Sequence, residues 1–114
     1  MEGLTIRSED LANGWVSIAV EGEVDLATVD QLQLAIDEVY DDQAEKALVV
    51  DLTASSFMDS TGLKALVMSH RRFDGAGRGF AIAVSGGPVS RLIDLSGVNS
   101  SIRTVESVSE LGEA

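Results

Sequence analysis

The chain has 114 residues, of which 45% are hydrophobic; this is enough for one globular domain, expected over residues 1–114, with a core that needs no metal or disulfide. It contains no cysteine, which excludes a disulfide framework, a thiolate nucleophile and a cysteine metal site. Nineteen acidic residues against eight basic ones leave a net charge of −11, which disfavours direct binding to nucleic acid or to an anionic membrane surface.

The N-terminus, MEGLTIRSED, lacks the basic and apolar regions of a secretory signal. No apolar stretch approaches the roughly 20 residues of a membrane span. A cytoplasmic protein is expected. Leu4 to Arg7 alternates apolar and polar, as a half-buried strand does, and Trp15 to Val20 alternates again. Asn13-Gly14 between them predicts an antiparallel hairpin. After Glu21-Gly22-Glu23-Val24-Asp25 the period changes: Val29, Leu32, Ile36 and Val39 form one helical stripe. Thr28 to Gln31 fits a capping box, and Asp25 suits a slightly earlier start. Ala47 to Leu52 is a nearly continuous apolar run, expected as a central strand covered on both faces.

A short connection and a second helix follow, with Leu63, Leu66, Val67 and His70 on one face. Phe80 to Val84 predicts a buried strand. Pro88 opens a short helix whose apolar side is Val89, Leu92 and Ile93, and Gly97 ends it. Ile102 to Val105 predicts an edge strand. Ser107 to Glu110 fits another capping box, opening a last short helix. The order β-β-α-β-α-β-α-β-α predicts an α/β fold. Its sheet is mixed but mostly parallel, with four to five strands, about four helices and an N-terminal antiparallel hairpin.

Catalytic and metal chemistry find little support. The single histidine, His70, lies ten residues beyond Ser60 on the same predicted helix, about 15 Å along its axis. It cannot serve Ser60 as the base of a serine hydrolase. One histidine and no cysteine leave only carboxylate metal sites, and none has calcium-loop spacing.

The stretch Ser56-Phe57-Met58-Asp59-Ser60-Thr61-Gly62-Leu63 stands apart. It follows a central strand and opens a helix, where α/β folds present functional groups. A phosphate on a serine there is favoured by the helix dipole. It adds about −1.5 to −2 charges and three acceptor oxygens. Gly62 costs about 1 kcal/mol relative to alanine inside a helix; it is read here as leaving room for a partner's backbone or a nucleotide phosphate. Phe57 is expected in the core. Met58 suits the core and a partner surface equally, and is carried as a partner contact.

These residues resemble the signature of STAS domains of the anti-sigma factor antagonist family. The strand end Asp51-Leu52 and the run Asp59-Ser60-Thr61-Gly62-Leu63 match its hallmark. Gly22-Glu23-Val24-Asp25 resembles the family's Gly-Glu-Leu-Asp segment, and the later pieces VSRLIDLSGV and IRTVESVSELGEA agree in order. The likeness runs from about Leu4 to Glu113 and implies the STAS fold, no enzymatic activity and no cofactor.

The resemblance implies an antagonist that, unphosphorylated, binds an anti-sigma factor which is also a serine kinase, freeing a sigma factor. Ser60 matches the phospho-acceptor, with Thr61 a chemically possible alternative. Asp25, Met58, Asp59, Ser60, Thr61, Gly62 and Lys64 are the expected partner-binding residues. A PP2C-like phosphatase is the expected second partner, and a monomer the expected state. Lys64 departs from the family, many of whose members carry a small residue there. The competing readings are a STAS scaffold or ligand-binding module, and a small serine hydrolase.

Overall fold

The computed structural model describes residues 3–114. Five strands form one sheet in the order β1-β2-β3-β4-β5. They are β1 (Thr5–Asp10), β2 (Trp15–Val24), β3 (Ala47–Met58), β4 (Phe80–Ala83) and β5 (Arg103–Val105). The first pair is antiparallel and the others are parallel. Three α-helices supply the crossovers: α1 (Val29–Asp42), α2 (Ser60–Gly75) and α3 (Gly87–Ser96).

The expected architecture is therefore present, with one correction. Ser107 to Glu110 opens only a 3-10 turn, Val108–Glu110, and the α-helices among the described residues number three. Ser107 Oγ does accept from the Ser109 N–H, but Glu110 reaches back to the Glu106 N–H. The turn is followed by extended chain that Leu111 pins to the sheet.

All three helices cover one face. Their stripes, with Leu32, Ile36 and Val39 on α1, Leu66 and Phe73 on α2, and Val89 and Ile93 on α3, meet Val16, Ile18, Val20, Leu48, Val50 and Ile82. The opposite face carries Trp15, Ala47, Val49, Ala81 and Ala83 and is closed by Val105, Val108 and Leu111. Thus β3 is covered on both faces, as its apolar run requires. The C-terminal segment is held by its backbone. Trp15 Nε1 donates to the Gly112 carbonyl at 3.2 Å, and the Ala114 N–H donates to the Asn13 carbonyl at 2.9 Å.

Arg78 fixes the end of α1 and α2 remote from the strand ends that α2 leaves. Helix α1 has no basic residue in its last turn. The Arg78 guanidinium takes that place, donating to the carbonyls of Tyr40, Gln43 and Lys46 at 2.8–2.9 Å. It also lies 4.6 Å from the Phe73 ring centre, and Phe73 meets Tyr40 edge-on. These carbonyls at and just beyond the end of α1 gain a cation that the helix dipole favours.

Three strands run past the residues expected of them: β1 reaches Asp10, and the next two run on to the site. Strand β2 continues through Glu21–Val24, and β3 continues through the polar run Thr53–Ser56 to Met58. Between the pairs Ala19↔Asp51 and Val24↔Met58, β3 has two more residues than β2, taken up in two register shifts. One shift turns a strand's side chains over, and the second turns them back. Met58 therefore regains the helix-covered side.

Leu111→Ala should cost about 2 kcal/mol, the low end for a buried leucine because the site lies near the chain end. It should also shift the emission of the single tryptophan, Trp15, to the red. Urea unfolding followed by fluorescence reads both.

Candidate functional site

Strands β2 and β3 end side by side, and an aspartate follows each. Val24 pairs with Met58, and the Asp59 N–H donates to the Val24 carbonyl at 3.1 Å. Asp25 Oδ1 accepts from the N–H groups of Ala27 and Thr28 at 3.0 and 3.2 Å. It closes the turn before α1, as its position suggests. The Thr28–Gln31 capping box does not form. Thr28 Oγ1 instead donates to the Glu23 carbonyl and accepts from the Asp25 N–H, while Gln31 accepts from the Leu4 N–H. Beside this turn lies an acidic hollow lined by Glu21, Glu23, Asp25, Thr28 and Ser56.

Asp59 is the N-cap of α2. Its Oδ1 accepts from the Thr61 N–H at 3.0 Å and the Gly62 N–H at 3.4 Å, and the Thr61 hydroxyl donates to the same oxygen. The Thr61 hydroxyl holds the Asp59 carboxyl below its ordinary value of 3.8, against an opposing loss of hydration and with help from the Gly62 and Thr61 N–H groups. Ser60 is the first residue of α2 and is exposed. Among the described residues its hydroxyl makes no side-chain hydrogen bond, whereas that of Thr61 is committed to Asp59. Lys64, one turn on, is also exposed.

Two expected partner contacts are internal. Met58 is 5% exposed and belongs to the core, whereas Phe57, expected inside, is 43% exposed. The alternation of Leu48, Val50 and Leu52 carries on to Met58, because the two register shifts between them cancel. Gly62 is buried, and a Cβ there would lie 2.7 Å from Val24 Cγ1 and 2.8 Å from Met58 Cγ. Its missing side chain admits the protein's own strands, not a partner or a phosphate. His70 is half-buried, with its ring centre 5.9 Å from that of Phe80. Leu26, 76% exposed beside Asp25, is a surface residue that the sequence reading passed over. An apolar residue inside a polar turn is the signal that marks it.

Gly62→Ala should destabilise the protein, by up to about 2 kcal/mol, in thermal or urea unfolding. Overpacking against Val24 and Met58 costs about 1–3 kcal/mol and outweighs the roughly 1 kcal/mol of helix propensity that alanine brings. A gain in stability would mean that the first turn of α2 is not seated on the strands.

Asp59 gives a pH signature. Because its carboxyl is more acidic folded than unfolded, the stability it contributes is full above the unfolded value. That stability is lost as pH falls through the lower, folded value. Asp59→Asn should therefore lower the melting temperature at pH 7, and the gap to wild type should narrow below about pH 4.

The single histidine, His70, lies ten residues beyond the exposed Ser60 on α2, against Phe80. A sequence profile of the STAS domain matches residues 9–111. The anti-sigma-F factor antagonist RsfB of Mycobacterium tuberculosis is 34% identical over 90% of this chain and 81% of its own. The crystal structure of an anti-sigma factor antagonist from Mycobacterium paratuberculosis superposes with a TM-score of 0.85 at 30% identity, covering 94% of this chain and 89% of that one. SpoIIAA in its unphosphorylated form shares the fold, with a TM-score of 0.69 at 20% identity over 93% and 92% of the two chains. With its mixed five-stranded sheet and its Asp-Ser-Thr-Gly helix start, the chain belongs to the STAS domain family.

Proposed function

We propose that the chain is an anti-sigma factor antagonist whose binding is switched at Ser60. Unphosphorylated, the surface carrying Asp25, Asp59, Ser60, Thr61 and Lys64 docks an anti-sigma factor that is also a serine kinase, and docking frees a sigma factor. Phosphorylation of Ser60 by that kinase ends the complex, and a PP2C-like phosphatase restores the binding form. The relatives that carry the antagonist name support this reading.

The observation that carries it is the exposed, uncommitted hydroxyl of Ser60 on the first residue of α2. Asp59 already caps the helix, so modification of Ser60 leaves the cap intact. The positive end of α2 tolerates a phosphate. A docked partner does not: about two negative charges would be desolvated in an interface shaped around a hydroxyl. The switch therefore acts on the interface and not on the fold.

The test takes the ATP-dependent anti-sigma factor of the source organism as partner and kinase. Peptide mapping should place one phosphate on Ser60, and Ser60→Ala should take up none while binding like wild type. Ser60→Asp should bind about tenfold or more weakly, less than the full effect because a carboxylate carries less charge than a phosphate. Equal binding by Ser60→Asp and wild type would defeat electrostatic release. A partner retained by every variant would favour a scaffold role.

A further inference from the structure

We propose that Lys64 is the counter-ion of the Ser60 phosphate, so that phosphorylation closes an ion pair along the outer face of α2; this rests on Ser60 being the acceptor. The two residues are four apart on one continuous helix, and both are exposed. Positions four apart face each other, about 6 Å along the axis. An anion on the N-terminal side of a cation is the favourable order.

Lys64 is free to take this role. Its neighbours three and four positions away on α2 are Ser60, Thr61, Val67 and Met68, none of them acidic. The ion pairs among the described residues use Lys46 and Arg72. Asp59, the carboxylate at this end of α2, is turned onto Thr61 and Gly62. Other cations are placed for other work. Arg72 pairs with Asp37 at 2.6 Å, and Arg78 donates to carbonyls at the end of α1. Arg71 is eleven residues from Ser60, about 16 Å along the helix. Within one turn of Ser60 on α2, Lys64 is the cation a phosphate meets.

The consequence is a double change at one surface. Before modification, Lys64 is an uncompensated cation beside the acceptor, open to an acidic group on the partner. After modification its charge is engaged by the phosphate, so the partner loses a cation and gains a dianion together. Long, flexible Lys64 suits this exchange because its ammonium can swing between the two engagements.

Phosphoserine incorporated at position 60 during translation tests the pair without any kinase or partner. Full-length protein with Lys64, Lys64→Gln or Lys64→Arg is titrated at low salt, and the phosphate is followed by 31P NMR. The second phosphate ionisation should fall about 0.3 pH units lower with Lys64 than with glutamine, the size of an i,i+4 ion pair. Arginine should keep the effect, and 1 M salt should remove it. The nearby carboxylates of Glu23, Asp25 and Asp59 are common to all three proteins and cancel in the comparison. Identical titrations for lysine and glutamine at low salt would overturn the ion pair. Because the phosphate is installed directly, a kinase that ignores Ser60 could not produce that result.

Discussion

The seating of the first turn of α2 on the paired ends of β2 and β3 is the contact on which the functional end of the molecule depends. Gly62 has no room for a Cβ between Val24 and Met58. Once that turn is seated, the surrounding directions follow. Met58 lies beneath the helix, and Phe57, one residue earlier on the strand, is exposed. Asp59 bonds through its N–H to Val24 and through its carboxylate to the open N–H groups of α2. Ser60, next in line, is left facing solvent. A close helix–strand approach thus replaces a loop as the means of presenting one hydroxyl.

The polar groups at this end are divided in their commitments. Asp25 and Asp59 look like a pair of carboxylates ready for chemistry, yet each has an oxygen occupied by backbone N–H groups of its own turn. Thr61 is tied to Asp59. Ser60 and Lys64 extend outward from a helix whose other end is clamped by Arg78, Tyr40 and Phe73. With both ends of α2 anchored, a charge added at Ser60 meets a fixed surface. Its effect falls on whatever docks there and not on the helix itself.

Much of the architecture was legible in the sequence because it rests on local rules. The stripe of α1, the apolar run of β3, the Pro88 start and Gly97 end of α3, and the Asp59 cap all express periods and caps that neighbouring residues set themselves. The same holds for the aspartate, serine, threonine and glycine run that marks the family. Two capping boxes misled for an opposite reason. Thr28 and Glu110 found better partners in Glu23 and Glu106 than in the helix starts their spacing suggests.

By itself, then, the sequence determined the alternation of strands and helices, the acidic surface and the position of a candidate acceptor serine, since each depends on residue type and spacing along the chain. Tertiary structure alone decided that β3 runs on past Leu52, which puts Met58 on the buried side with Leu48, Val50 and Leu52 and leaves Phe57 outside, and why residue 62 is glycine. The polar run Thr53–Ser56 is strand because it pairs with the end of β2, and no local apolar period records that. The length of β3 is set by its partner strand, and the need for glycine by side chains 38 and 4 residues away in sequence, at Val24 and Met58.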